Sequence, residues 1–181
     1  MKKGVTLIEL ILVVAILGLM STTVVIAANP AKRLAQARDA TRKNDIGQIV
    51  NALISYEVFS GKYPDENGCD SSIGIKVNGN CPANPQESDW DTSSPLYTVL
   101  VGQEILKILP KDPINDETYY YRYEPRDGDE NPCKDVEIVC RYWVGARLED
   151  PADPANPIYR CSDIETLSDG PGCKEVNNFY K

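Results

Sequence analysis

The sequence predicts an α+β chain, with a long two-part helix at the N-terminus and a small head built on an antiparallel sheet and loops. Three observations predict it. Residues 5–28 form a 24-residue run that is apolar apart from Thr6, Glu9, Ser21, Thr22 and Thr23. Ile46, Ile49, Val50, Leu53 and Tyr56 then recur at three- and four-residue spacing, which is the stripe of an amphipathic helix. Beyond Pro64 the period shortens to two, in YYYRYE and VEIVCRYWV, amid turn residues and six cysteines. That is the texture of strands and stapled loops.

The first element, residues 5–28, is long enough to cross a bilayer. Its 24 residues rise about 36 Å as a helix, against a hydrocarbon core of about 30 Å. A secretory signal, with Lys2 and Lys3 as its basic start, a plain uncleaved anchor and the buried helix of a soluble protein are the competing readings, the last disfavoured by the length and apolarity of the run. Asn29-Pro30 marks a joint: Asn29 suits an N-cap and Pro30 the first helical position. Residues 29–60 continue as the amphipathic helix that packs on the head. Its apolar stripe faces the core, and Arg38, Asp39, Arg42, Lys43 and Asp45 are expected on the opposite face. Gly61 closes the helix and Pro64 stops it.

Residues 61–181 make the head. Residues 65–91 are rich in Asn, Gly, Pro and Ser and read as loop. Leu100, Ile105, Leu106 and Leu109 predict a short helix over 96–109. Tyr119, Tyr121 and Tyr123 alternate with Tyr120, Arg122 and Glu124, so one half of the tyrosines is expected in the core and the other exposed. Val136, Ile138, Cys140, Tyr142 and Val144 share one face of a second strand, making a hairpin. The last thirty residues read as irregular, with a short strand near Ile158.

Composition narrows the function classes. The chain has no histidine, so the usual general base near neutral pH and the commonest metal ligand are both missing. No nucleophile elbow, phosphate loop or paired-carboxylate site stands out, and no enzymatic activity is predicted. Residues 61–181 hold 12 Lys/Arg against 23 Asp/Glu; a head this acidic repels polyanions and is not expected to bind nucleic acid directly. Cys69, Cys81, Cys133, Cys140, Cys161 and Cys173 all follow the apolar run, and none forms a C-x-x-C pair. Their number and placement predict disulfides in an oxidising compartment. Nearest-neighbour pairing is one of 15 possible connectivities. Charge counting across the apolar run places the head in the cytoplasm, because Lys32, Arg33, Arg38, Arg42 and Lys43 outnumber Lys2 and Lys3. The cysteines argue the reverse.

The opening GVTLIELILVVAILG resembles the processing signal of type IV pilins and of the pseudopilins of type II secretion and competence systems. It has a short basic leader (residues 1–4, ending at Gly4) and then a hydrophobic run with Glu9 five residues into it. QARDATRKNDIGQIVNAL and SGKYP resemble the stalk and helix exit of the same family. Val5 stands where the family usually has Phe. The resemblance implies a type IV pilin-like fold, cleavage between Gly4 and Val5 by a prepilin peptidase, and N-methylation of the new amine. It also implies a head outside the cytoplasmic membrane, which resolves the orientation conflict in favour of the cysteines. Further implied partners are an inner-membrane assembly platform, a cytoplasmic ATPase motor and other copies of the chain in a homopolymer.

The same resemblance gives Glu9 a role. A lone carboxylate in hydrocarbon costs roughly 2.5–3.5 kcal/mol at mid-helix, and the cationic amine of Val5 on a neighbouring subunit would offset it and set the register. Gly18 and Pro30 bracket the segment where the helix is expected to be weakest. Asp127, Asp129 and Asn131 open like a calcium loop, but Pro132 and Ile138 stand where glycine and the bidentate acid belong. Some major pseudopilins bind calcium after a stretch like the LPKDP of residues 109–113, so calcium is the one cofactor entertained, and a solvated turn competes with it. The expected function is structural: a subunit of a type IV pilus-like surface filament, towards which the disulfides lean. The alternatives are a pseudopilin and an anchored binding domain that never polymerises.

Overall fold

The computed structural model describes residues 4–65, 72, 90, 92–126, 141–163 and 171–177, with the backbone alone described at 22–28 and 126. It divides into two compact units, Met1–Ala37 and Arg38–Lys181.

In the first unit, helix α1 runs over Leu7–Ala28, and every side chain described on it is exposed. The helix persists through Gly18 and breaks at Asn29, whose φ of 40° lies in the left-handed region that asparagine tolerates better than most residues. Helix α2 then spans Pro30–Ser60. Asn29 caps it as the sequence predicts, its Oδ1 accepting from the Lys32 N–H at 3.3 Å. At the other end Gly61 takes φ 74° and donates its N–H to the Glu57 carbonyl at 2.7 Å. A side chain at that φ would be strained.

The second unit packs residues 38–60 of α2 on a four-stranded sheet. The strands are β1 (Tyr121–Arg126), β2 (Arg141–Arg147), β3 (Ile158–Ser162) and β4 (Gly172–Val176), antiparallel throughout in the order β1-β2-β3-β4. Pairing Tyr121 with Ala146, Tyr123 with Val144 and Val144 with Cys161 puts these side chains on one face. That face meets Ile46, Ile49, Ala52 and Leu53 of α2 in the core. Each fully buried Ile or Leu contributes about 1.5–3 kcal/mol, so the periodic stripe is what holds helix to sheet. Tyr121 and Tyr123 also satisfy their hydroxyls, donating to Asp45 Oδ2 at 2.7 Å and to the Pro64 carbonyl at 2.6 Å.

Four expectations need correction. The alternate face of β1 is not exposed: Tyr120, Arg122 and Glu124 are buried, the Arg122 guanidinium lying 3.5 Å from Glu124 and 5.2 Å from the Trp143 ring centroid. Among the described residues no tyrosine is exposed. The tail is not irregular, since β4 completes the sheet. There, Cys161 and Cys173 lie opposite each other in register and are joined by a disulfide; Cys69, Cys81, Cys133 and Cys140 lie outside the described residues. The supposed opposite face of α2 is not one either, as shown below.

The fourth correction is to the helix over 96–109, which is only α3, Pro95–Leu100. Ser94 caps it, Oγ accepting from the Tyr97 N–H at 3.0 Å, and Leu96 and Leu100 enter the core. It stops as the last turn widens at Gly102, whose N–H reaches back five residues to the Tyr97 carbonyl at 3.2 Å. A Cβ at Gly102 would lie 2.3 Å from the Thr98 carbonyl oxygen. Gly102→Ala therefore must displace backbone, and we expect it to lower head stability by about 1–3 kcal/mol. An unfolding midpoint equal to wild type in urea would refute this.

Candidate assembly site and the ion cluster of the head

Gly4 and Val5 precede α1 in exposed, non-helical backbone. Thr6 and Glu9 start the helix between them. The Thr6 N–H donates to Glu9 Oε2 at 3.1 Å, the Thr6 hydroxyl to the same oxygen at 3.0 Å, and the Glu9 N–H to Thr6 Oγ1 at 3.4 Å. This is a reciprocal capping box, in which a threonine at the cap and a glutamate three residues on satisfy each other's backbone donors. The signal T-x-x-E was present in the sequence and missed there. In the single chain, the carboxylate of Glu9 therefore rests on Thr6.

Downstream, Gly18 sits in open space, with nothing within 4 Å of a Cβ built on it. The α1 backbone is helical over 22 residues, but its side chains are described only as far as Ser21. Among the described residues no helix is long and apolar enough to cross a membrane.

The head carries a second arrangement of charge, centred on Arg42, which is 0% exposed. Its Nε and Nη2 donate to the two oxygens of Asp112 at 2.6 and 2.9 Å, and Nη1 donates to Asp39 at 2.8 Å and to Glu149 at 2.6 Å. Arg38 adds a second guanidinium, Nε donating to Glu149 at 2.7 Å and Nη2 also bonding the carboxylate. Asp39 accepts from the backbone N–H groups of Glu149 and Asp150 at 2.9 and 2.7 Å, and Asp112 from that of Ile114 at 2.8 Å. The Tyr119 ring closes the site, its centroid 4.8 Å from the Arg42 guanidinium. At about 100° per residue, Asp39 and Arg42 lie in line with Ile46, Ile49 and Leu53. The charged residues thus continue the buried stripe, and α2 grips the head with carbon at one end and ion pairs at the other.

Asp112 belongs to the LPKDP stretch, and its carboxylate is taken up by Arg42. The three carboxylates converge on a guanidinium, and among the described residues no group of His, Cys, Asp or Glu is arranged to hold a metal. Asp127, Asp129 and Asn131 lie outside the described residues.

Hydrogen bonding from Arg38 and Arg42, against the opposing effect of burial, holds the Glu149 carboxyl down from 4.5 to about 2. A carboxyl depressed on folding adds stability that is fully present above its unfolded pKa and fades as pH falls through its folded one. For this shift the loss is on the order of 3 kcal/mol. Burial acts the other way on Asp45, whose carboxyl is raised, so its protonation offsets part of that loss. Head stability should therefore fall as pH drops from 4.5 to 2. A flat melting temperature across that window would contradict the Glu149 assignment.

No sequence-family model matches the chain, and no solved structure matches it. Among curated proteins it is similar to the type II secretion system core protein G of Pseudomonas aeruginosa. The two are 32% identical over 112 residues, covering 62% of this chain and 68% of that one.

Proposed function

The chain belongs to the type IV pilin-like family of filament subunits, and from that premise we propose that it is a pseudopilin of a type II secretion-like system. The observation that carries the reading is the similarity to a secretion core protein over two thirds of that protein's length. It favours the pseudopilin over the surface pilus towards which the disulfides lean. In this reading a peptidase removes residues 1–4, and residues 5–28 lie in the cytoplasmic membrane until assembly. An inner-membrane platform and an ATPase motor then draw the subunit into the filament, with the head outside. The exposed side chains described on α1, apolar over 10–20, support the membrane step, because a surface of that kind is stable only in lipid or against other helices. Its role is structural.

Two measurements test this. The intact mass of the chain from its native membrane should place the terminus at Val5, with one methyl; a terminus at Met1 or near Ala28 would remove the filament reading. Loss of the chain should then trap exported proteins inside the cell envelope while leaving surface fibres and their motility intact. The reverse pattern would restore the surface pilus.

A further inference from the structure

Strand β4 belongs to the sheet but not to the core. Of Gly172, Cys173, Lys174, Glu175 and Val176, only Val176 is buried, and none is a member of the cluster that packs on α2. Glycine, lysine and glutamate are poor strand formers, and β4 ends the order β1-β2-β3-β4, where pairing is least secure. Beyond the ladder it is tied by the Cys161–Cys173 bond, which joins directly opposite residues. It is also tied by Glu175, whose Oε1 accepts from Lys43 Nζ at 2.7 Å and whose Oε2 accepts from the Ala152 N–H at 2.8 Å. Lys43 lies 5.3 Å from the centroid of the Tyr159 ring, and Tyr159 is the register partner of Glu175. Through one side chain, then, β4 reaches both α2 and the chain between β2 and β3.

The bond is open to chemistry from one side. Cys173 is exposed, whereas Cys161 is 1% exposed, so a thiol arriving from solvent meets Cys173 first. Exchange depends on access to the attacked sulfur, and exposed disulfides are the labile and regulatory ones. We propose that Cys161–Cys173 is a thiol–disulfide exchange site that decides whether β4 is docked, and with it whether Glu175 holds Lys43. A thiolate of an incoming dithiol bonds to Cys173 Sγ as the bond to Cys161 Sγ breaks, and Cys161 leaves with the electron pair and takes a proton. The second thiol of the dithiol then closes its own disulfide and releases Cys173, which is protonated in turn. Two electrons and two protons have passed from the dithiol to the protein. In the reverse direction a disulfide-bearing oxidant takes them back and locks the strand. The reduced head keeps its core, because Ile46, Ile49, Leu53, Tyr121, Tyr123 and Val144 meet without help from β4. In a reducing compartment the head thus folds with β4 loose, and arrival in an oxidising one completes the sheet and fastens Lys43. This device stands apart from the filament reading and does not depend on it.

The test uses the full chain in detergent micelles, as wild type and as Cys161→Ala/Cys173→Ala, with dithiothreitol as the dithiol. Under native conditions dithiothreitol should open the wild-type bond, and iodoacetamide should then mark Cys173 faster than Cys161. Amide hydrogen exchange in residues 172–176 should rise at least tenfold while β1 and β2 stay within twofold, the pattern of a local opening. Acylation of the Lys43 amine should speed up at least threefold. The double alanine variant should show the same β4 exchange without reductant, and no further change in β4 when reductant is added, which separates this bond from the other cysteines. A variant whose β4 stays protected would overturn the proposal. So would a wild-type bond that opens only after the near-ultraviolet signal of the core is lost. A variant that does not fold would overturn it too, because the bond would then be a staple of the whole head.

Discussion

Arg42→Ala should unfold the head or bring it close to unfolding, with a loss of about 3–5 kcal/mol. That is the range for breaking a buried ion pair by removing one partner. The size follows from what is left behind. Asp39, Asp112 and Glu149 would keep their carboxylates in a site built around a cation, and Asp39 and Asp112 are themselves buried. Backbone N–H groups still reach Asp39 and Asp112, which is why total collapse is not required. Arg42→Lys should recover little, because one ammonium cannot match the two-point grip on Asp112 while also reaching Asp39 and Glu149. Thermal unfolding followed by near-ultraviolet circular dichroism reads the tyrosine-rich core directly. A fall of less than about 0.5 kcal/mol, the scale of a surface substitution, would show that the cluster does not hold helix to head.

This cluster also shows where sequence reading stopped. The joint at Asn29-Pro30, the end at Gly61, the stripe from Ile46 to Tyr56 and the core positions Tyr121, Tyr123, Tyr142 and Val144 are local patterns and legible as such, while Val136, Ile138 and Cys140 lie outside the described residues. The alignment of Asp39 and Arg42 with that stripe was equally available, since it needs only the helical repeat. A stripe traced by hydropathy alone ends at Ile46, because the buried line passes there from apolar to charged side chains. Their partners were not available. Asp112 and Glu149 lie 70 and 107 residues from Arg42, and no local period links them. The strand β4 was hidden for a related reason. GCKEV has too few apolar positions to alternate, and its identity comes from pairing with β3 through register and the Cys161–Cys173 bond. At the N-terminus the difficulty was the opposite. Two readings of Glu9 compete there: a partner amine on another subunit, and the T-x-x-E capping box with Thr6, which is itself a local pattern.

Glu9→Gln separates those two explanations, and we expect it to abolish fibres at least tenfold while leaving the subunit intact. Glutamine serves a capping box as well as glutamate does, so its side-chain carbonyl can still accept from the Thr6 N–H and hydroxyl where Glu9 Oε2 does now, at 3.1 and 3.0 Å. Loss of a charge also makes insertion into lipid easier, so neither a frayed helix start nor poor membrane entry can explain a failure. What glutamine cannot do is offer a negative charge to the amine that cleavage at Val5 would create on a neighbouring chain. A pairing worth only 1.4 kcal/mol is already tenfold in an equilibrium constant, and every subunit added to a filament must make it again. The measurement is sheared-fibre yield against the amount of processed chain in the membrane, with Glu9→Leu beside it to remove cap and charge together. Should Glu9→Gln polymerise like wild type while Glu9→Leu fails, the carboxylate is a helix cap that happens to lie in an apolar run. Register would then have to come from the packing of the helices themselves.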